Sequence, residues 1–259
     1  MDADRVREIN REGWNRLVAK GDVWTIPVSS EVIRRAREGD WSVVLTPTKA
    51  VPPDWFGDLL DKDVLCLASG GGQQGPVLAA AGARVTVFDA SPAQLGQDRL
   101  VAARDGLQME LIEGFMHDLS VFDDQRFDLI FHPVSNIFAP EILPVWRECF
   151  RVLRPGGVLL AGFMNPTMFI FDYAKMEAGV FEVAHPLPCS DADLPQEEID
   201  LMLAQEHTLA FSHSLEDQIG GQLSAGLHLT HMFEDNHPAS PLSAYFPLAI
   251  ATRAVKPRT

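Results

Sequence analysis

The stretch Val-Leu-Cys-Leu-Ala-Ser-Gly-Gly-Gly-Gln-Gln-Gly at residues 64–75 decides the fold class. A short apolar run with strand character breaks into three consecutive glycines, and a helical pattern follows. Gly70, Gly72 and Gly75 satisfy G-x-G-x-x-G between a strand and a helix, the one context in which that spacing has a mechanism. Glycines there let the backbone approach a ligand closely and aim helix N–H groups at it. Downstream, the apolar runs Arg84–Phe88, Gln108–Ile112, Phe127–Phe131 and Gly157–Phe163 alternate with helical patterns at Gly75–Ala81, Pro92–Arg104 and Glu141–Leu153. That alternation predicts a parallel sheet wrapped by helices. Pro155-Gly156-Gly157 is expected to end the third helix, because proline cannot continue it and glycine supplies the turn.

Residues 1–62 precede this core with a polar helix, a second helix around Ser30–Gly39 and the proline-rich run Thr46–Pro53. Residues 164–213 break the rhythm with prolines, aromatics and the acidic stretch Asp191–Asp200, as an insertion over one end of the sheet would. Ser214 opens a helix that ends near Gly226, with Asp217 in the capping-box position. Leu227–Phe233 and Pro247–Ala254 then read as two strands joined by a short loop into an antiparallel edge. The fold class is α/β: a seven-stranded, mostly parallel sheet with helices on both faces, in one domain of 1–259 (N-terminal extension or lid 1–62, core 63–163, insertion 164–213, C-terminal helix and strands 214–259).

The 259 residues are 46% hydrophobic and 22% charged, which is a folding composition. A net charge of −15 opposes a phosphate backbone, so nucleic acid is not an expected partner. The apolar runs are strand-sized and the opening MDADRVREINREGWNR has no apolar signal region, so neither a membrane span nor export is expected, and the location read is the cytoplasm. Cys66, Cys149 and Cys189 follow no metal spacing and read as reduced structural thiols; the scattered histidines fit strand faces, and no metal is expected.

Phe88-Asp89 ends the second strand, where a carboxylate accepts hydrogen bonds from ribose hydroxyls. Asp89 could instead cap the helix from Pro92, a role for which Ser91 competes. These residues alone fit either a nicotinamide-dependent oxidoreductase or a methyltransferase. The stretches VLCLASGGGQQGPVLAAAGARVTVFDASPAQL, GFMHDLSVFDDQRFDLIFHPVSNIF and WRECFRVLRPGGVLLAGF, with the ending SAGLHLTHMFED and PLAIATRAV, resemble the class I S-adenosylmethionine-dependent methyltransferases. The FRVLRPGG turn is the most specific element. Cys66 stands where that family carries an acid, and Ala68 where it carries a first glycine. Those departures leave open a non-catalytic binding module with the same fold.

The resemblance implies S-adenosylmethionine as cofactor and a set of residues to hold it. The backbone of Ala68, Ser69, Gly70 and Gly72, with Gln73 beyond, would pass beneath the methionine part. Asp89 would bind the ribose, and Ala90 would lie against the adenine near Gln94. Met116, His117, Asp118 and Leu119 match the place where the family holds adenine through an acid and an adjacent amide; the alternative for Asp118 is a loop acid. Methyl transfer from a sulfonium mainly needs alignment and exclusion of water. A base helps when the acceptor is protonated, and His132 after the fourth strand is the candidate, the alternative being a histidine bonded to cofactor or backbone. Ser135 and Asn136 could bond the acceptor or the methionine group. A small-molecule acceptor is expected, roofed by Trp14, Trp24, Trp41 and Trp55, with Tyr173 or His185 projecting in. Each tryptophan taken alone is better read as packing.

Overall fold

The computed structural model describes residues 1–172, 175–176, 178–237 and 239–258. Strands β1 (Asp63–Leu67), β2 (Arg84–Asp89), β3 (Met109–Glu113), β4 (Phe127–His132), β5 (Leu153–Met164), β6 (His228–Asp235) and β7 (Ala249–Val255) form one sheet in the order β3-β2-β1-β4-β5-β7-β6. β1 to β5 are parallel, whereas β7 runs antiparallel to both β5 and β6. Chain order reverses direction between β1 and β4, so the connections leaving these two strands part and a crevice opens at their carboxyl ends. Val64 to Leu67 are completely buried, as a central strand covered on both faces requires.

One face of the sheet is covered by helices α2 (Ser30–Arg37), α3 (Gln74–Ala80) and α4 (Pro92–Asp105) together with residues 43–59. Ser91, not Asp89, caps α4: its Oγ accepts the Gln94 N–H at 3.1 Å. The other face is covered by α5 (Leu143–Val152) and the helical stretch 216–224. That stretch starts with Ser214 Oγ accepting the Asp217 N–H at 3.0 Å, the expected cap, and its first turn, Glu216–Gly220, is a π-helix.

The largest departures from expectation are at the α5–β5 junction and between the last two strands. α5 stops at Val152 because the chain turns extended at Leu153 (ψ 139°), and β5 already pairs Leu153 with Phe127. The Pro155-Gly156-Gly157 turn sits inside a register shift of β5 opposite Asp128, where a proline costs no ladder hydrogen bond. The link between β6, which ends at Asp235, and β7, which starts at Ala249, is not short, and among its described residues Pro241–Ala244 form a 3-10 turn.

The flanking segments pack on one another above the sheet. Helix α1 (Ala3–Lys20) turns Val6 and Ile9 toward Ile199 of α6 (Gln196–Ala204) and toward Leu209 and Phe211. Asn10 locks that contact, its Nδ2 donating to Phe138 O at 2.8 Å and Leu209 O at 2.9 Å while its Oδ1 accepts the Leu209 N–H at 2.7 Å. Beyond β5, Leu242 and Leu248 of the β6–β7 loop pack against Met168 and Phe171. Within 191–200, Asp191 accepts the Ala210 N–H at 2.7 Å. Among the described residues no helix is long and apolar enough to cross a membrane.

Candidate active site

The carboxyl ends of the central strands open on a cavity of about 320 Å³. Its floor is the glycine loop. Ala68 leaves β1 with a left-handed backbone (φ +46°) and gives its N–H to Phe88 O at 2.8 Å. Gly70 then donates to Asp89 Oδ2 at 2.9 Å and Gly71 to Asp98 Oδ2 at 3.0 Å. Gly72 has φ +68°, and a Cβ there would come within 2.8 Å of the Gln97 carbonyl, so its glycine serves loop packing against α4; it does not line the cavity. Val28 N–H bonds Gly72 O at 2.9 Å, and Gln73 Nε2 donates to Val23 O and Ile26 O, which straps residues 23–28 across the loop.

Asp89 accepts from Gly70 N and, at 2.9 Å, from Ser91 N, which leaves half of the carboxylate's lone-pair positions for a ligand. Burial raises its pKa, against the two N–H bonds that lower it. Ala90, Gln94, Met116 and His117 continue the wall toward β3. α1 closes this side, with Asn15 Oδ1 accepting from Ser91 Oγ at 2.7 Å and Ala93 N at 3.2 Å. Arg7 and Arg11 of α1 also line it, the first paired with Asp4 and Glu141, the second with Glu8 and Glu113. Ser69 Oγ and Gln94 Oε1 are buried on this wall without a hydrogen-bond partner among the described residues. Buried polar atoms of that kind call for a polar ligand.

Toward β5 the wall changes character. Val44, Leu45 and Pro47 come from the N-terminal segment, Ile137 and Phe138 from the loop after β4, Met164 from the end of β5, and Trp24 and His237 close the top. A Cβ on Gly162 would lie 2.1 Å from Leu45 O, so the glycine in β5 is what admits the 43–46 backbone to the sheet face. Leu45 O also accepts the Val134 N–H at 3.0 Å.

A methyltransferase-domain family model matches residues 65–161, from β1 to β5. The uncharacterized methyltransferase YbaJ of Bacillus subtilis is 48% identical over 248 residues, which is 95% of this chain and 97% of that one. The chain belongs to the class I S-adenosylmethionine-dependent methyltransferases. Among solved structures, an S-adenosylmethionine-dependent methyltransferase from Mesorhizobium loti superposes with a TM-score of 0.60 at 14% identity, covering 78% of this chain and 94% of that one. The 1,6-didemethyltoxoflavin N1-methyltransferase of Burkholderia thailandensis, solved with 1,6-didemethyltoxoflavin and S-adenosylhomocysteine, matches with a TM-score of 0.61 at 14% identity over 99% of this chain and 91% of that one. These two likenesses are of fold.

In this methyltransferase the expected cofactor residues Ala68, Ser69, Gly70, Gln73, Asp89, Ala90, Gln94, Met116, His117 and Ser135 all line the cavity, as does the expected acceptor residue Trp24. Several others do not. Asp118 turns aside to accept the Ser120 N–H at 2.9 Å, the loop-acid alternative, and the Leu119 amide is consumed by Glu148 Oε2 at 2.8 Å. His132 is 0% exposed and off the cavity wall: Nδ1 bonds Leu67 O at 2.9 Å and Nε2 lies 2.7 Å from the Asn136 amide. Burial lowers its pKa, the Leu67 and Asn136 bonds opposing, and with both nitrogens held it has no route to an acceptor. Asn136 is equally sealed, bonding Gln218 Oε1 at 2.9 Å. Both are core polar residues, not base and acceptor ligand. Trp14 and Trp24 reach the cavity, whereas Trp41 packs edge-on against Phe56 and Trp55 packs against Phe233. His185 is exposed elsewhere, and Tyr173 lies outside the described residues.

Sequence reasoning missed Asp98. It is 0% exposed on α4, and its Oδ2 takes the Gly71 N–H from beneath the loop. Burial pushes its pKa up to about 8; the Gly72 and Gly71 N–H groups oppose the rise and the Asp89 charge adds to it. The signal was present, because Gln94, Leu95, Asp98 and Val101 are the buried stripe of the helix at three- and four-residue spacing.

Proposed function

We propose that the methyltransferase holds S-adenosylmethionine across the β1–β3 end of the cavity and transfers its methyl group to a small, largely apolar acceptor at the β4–β5 end. The observation that carries this reading is the pairing of Asp89 with the glycine loop: a half-used, half-buried carboxylate beside Ser69 Oγ and Gln94 Oε1, two buried polar atoms without partners among the described residues. These are the acceptor and donor groups that ribose hydroxyls, an adenine edge and an amino-acid tail would satisfy. In this reading Asp89 bonds the ribose, Ala90 and Met116 bracket the adenine, and the loop from Ala68 to Gly70 faces the methionine part. The bound cofactor supplies an activated methyl group, and the chain supplies alignment and a dry cavity.

A small acceptor is supported by the roof. α1, the 23–28 strap and the β6–β7 loop leave a pocket, not an open groove. The acidic surface argues against nucleic acid as acceptor. The unpaired cysteines and the missing membrane-length helix among the described residues are consistent with work in the cytoplasm.

Calorimetric titration with S-adenosylhomocysteine tests the cofactor assignment without knowledge of the acceptor. Micromolar binding is expected, weakened by about 1–3 kcal/mol in Asp89→Ala from the lost ribose bonds. Absence of binding by the folded wild-type protein would overturn the reading.

A further inference from the structure

The two ends of the cavity differ in charge. Arg7, Arg11, Asp89, His117 and Glu141 all stand on the α1 side, near the ends of β2 and β3 and the chain after β4, and both arginines there are already paired with carboxylates. At the other end Val44, Leu45, Pro47 and Met164 form an apolar wall, and His237 is the one titratable side chain among the described residues that lines it. An acceptor carrying a full charge would meet no counter-ion there and would lose its hydration without compensation. A flat apolar molecule with a single polar hydrogen meets aliphatic side chains, the Trp24 indole and one imidazole.

His237 is also held in place. Its N–H donates to Ser243 Oγ at 3.2 Å, and its carbonyl accepts from Ser243 Oγ at 2.7 Å and from Ser240 N at 2.9 Å. Two residues earlier, Asp235 accepts from Thr46 Oγ1, Thr48 N and Lys49 N, each at 2.8 Å, and from Thr48 Oγ1 at 2.7 Å. The loop that carries the imidazole is thereby tied to the segment that supplies Val44 to Pro47. The ring sits 6.3 Å from the Trp24 ring, tilted by 59°, and among the described residues neither ring nitrogen has a hydrogen-bond partner. A histidine that lines the cavity, fixed through its backbone and with neither ring nitrogen bonded among the described residues, is equipped to receive a proton.

We propose that His237 is the catalytic base of this methyltransferase and that the acceptor is an uncharged aromatic molecule bearing a phenolic O–H or a ring N–H. His237 takes that proton and passes it to water. The acceptor's freed electron pair closes the new O–C or N–C bond as the carbon–sulfur pair returns to sulfur, leaving S-adenosylhomocysteine and the methylated acceptor. The inference rests on the cofactor placement above and fails separately from it.

The test uses the full chain saturated with S-adenosylhomocysteine, titrated with 4-nitrophenol and with 2-naphthol, whose absorbance and fluorescence distinguish the neutral from the ionised form. At least one probe is expected to bind with the signature of its anion in the wild type. In His237→Gln that signature is lost while S-adenosylhomocysteine affinity stays within twofold. With labelled S-adenosylmethionine and any phenol or ring N–H acceptor that turns over, kcat should fall by 100-fold or more in His237→Gln with KM little changed, and imidazole should restore part of the rate to His237→Ala. The proposal is overturned if neither probe binds the loaded protein, if His237→Gln binds and ionises the probes as the wild type does, or if only charged aliphatic acceptors are methylated. Failure of S-adenosylhomocysteine itself to bind would instead strike the cofactor assignment.

Discussion

At the β1–β3 end of the cavity the floor is made of strand ends and backbone, with amides of the glycine loop tied to Asp89 and Asp98 and α1 closing the side. At the β4–β5 end the wall is made of side chains delivered by distant parts of the chain: residues 24, 44–47, 137–138, 164 and 237. The first end is held by the Ala68, Gly70 and Gly71 amides, which bond, in turn, the Phe88 carbonyl, Asp89, and both Asp98 and the Gln94 carbonyl. In the second, most of the lining comes from loops, with Met164 at the end of β5 the one sheet residue among those named. In the proposed reading this division puts donor and acceptor on two differently built walls of one scaffold.

The sharpest way to break the first end is Asp98. In Asp98→Ala the Gly71 N–H loses its carboxylate and keeps only the Gln94 carbonyl, and a small void opens under the loop, so stability should fall by roughly 2–4 kcal/mol with S-adenosylhomocysteine binding lost alongside, measured by denaturant unfolding and calorimetry. Asp98→Asn keeps an acceptor oxygen for the loop and separates shape from charge. Burial raises the Asp98 pKa to about 8. A folded-state pKa above the unfolded value means the native state holds the proton longer, so this carboxyl stabilises most below pH 4 and its contribution declines as pH rises toward 8. The Asn variant should lack that slope. A slope unchanged in Asp98→Asn would assign it to another group.

The second end breaks at Asp235, which ties the β6–β7 loop to residues 46–49. Burial raises its pKa, but the hydrogen bonds from Thr48, Lys49 and Thr46 outweigh burial and hold it down to about 2. The sign is opposite to that of Asp98: the stabilisation is present above about pH 4 and is lost as pH falls toward 2. Asp235→Ala should cost about 2 kcal/mol at neutral pH. It should also weaken 4-nitrophenol binding more than S-adenosylhomocysteine binding. Equal losses of both ligands would show that the two ends are one mechanical unit.

The same division explains what could be read from the amino-acid sequence. The strands, their order of appearance and the place of Ala68, Ser69, Gly70, Gln73, Asp89, Ala90 and Gln94 on the cavity were legible because local pattern dictates them: apolar runs, a glycine cluster at a strand end, an acid after the next strand. His132 misled because its position at the end of β4 is correct but its ring turns into the core, toward Leu67 O and Asn136, and a side-chain direction is settled by packing that no spacing encodes. Asp118 and Leu119 misled for a related reason, since Ser120 and Glu148 had already taken their polar groups. His237 was grouped with the histidines on strand faces, but it lies past the end of β6, and its place beside the Trp24 ring, more than two hundred residues earlier in the chain, is not encoded in local spacing.

The smallest effect tests whether the first end depends on backbone shape alone. Ala68 occupies a left-handed conformation (φ +46°) at the position where the family resemblance calls for glycine. That conformation costs an alanine about 1 kcal/mol, partly offset because glycine would gain freedom in the unfolded chain. Ala68→Gly should therefore stabilise the protein by roughly 0.5 kcal/mol, a rise in Tm of about 1–2 °C, with S-adenosylhomocysteine affinity within twofold of the wild type. The Ala68 N–H bond to Phe88 O already fixes the turn, so relieving the strain should leave the loop's path unchanged. A larger change in affinity than in stability would mean that the Ala68 methyl group touches the ligand, and the first end would then carry side-chain specificity of its own.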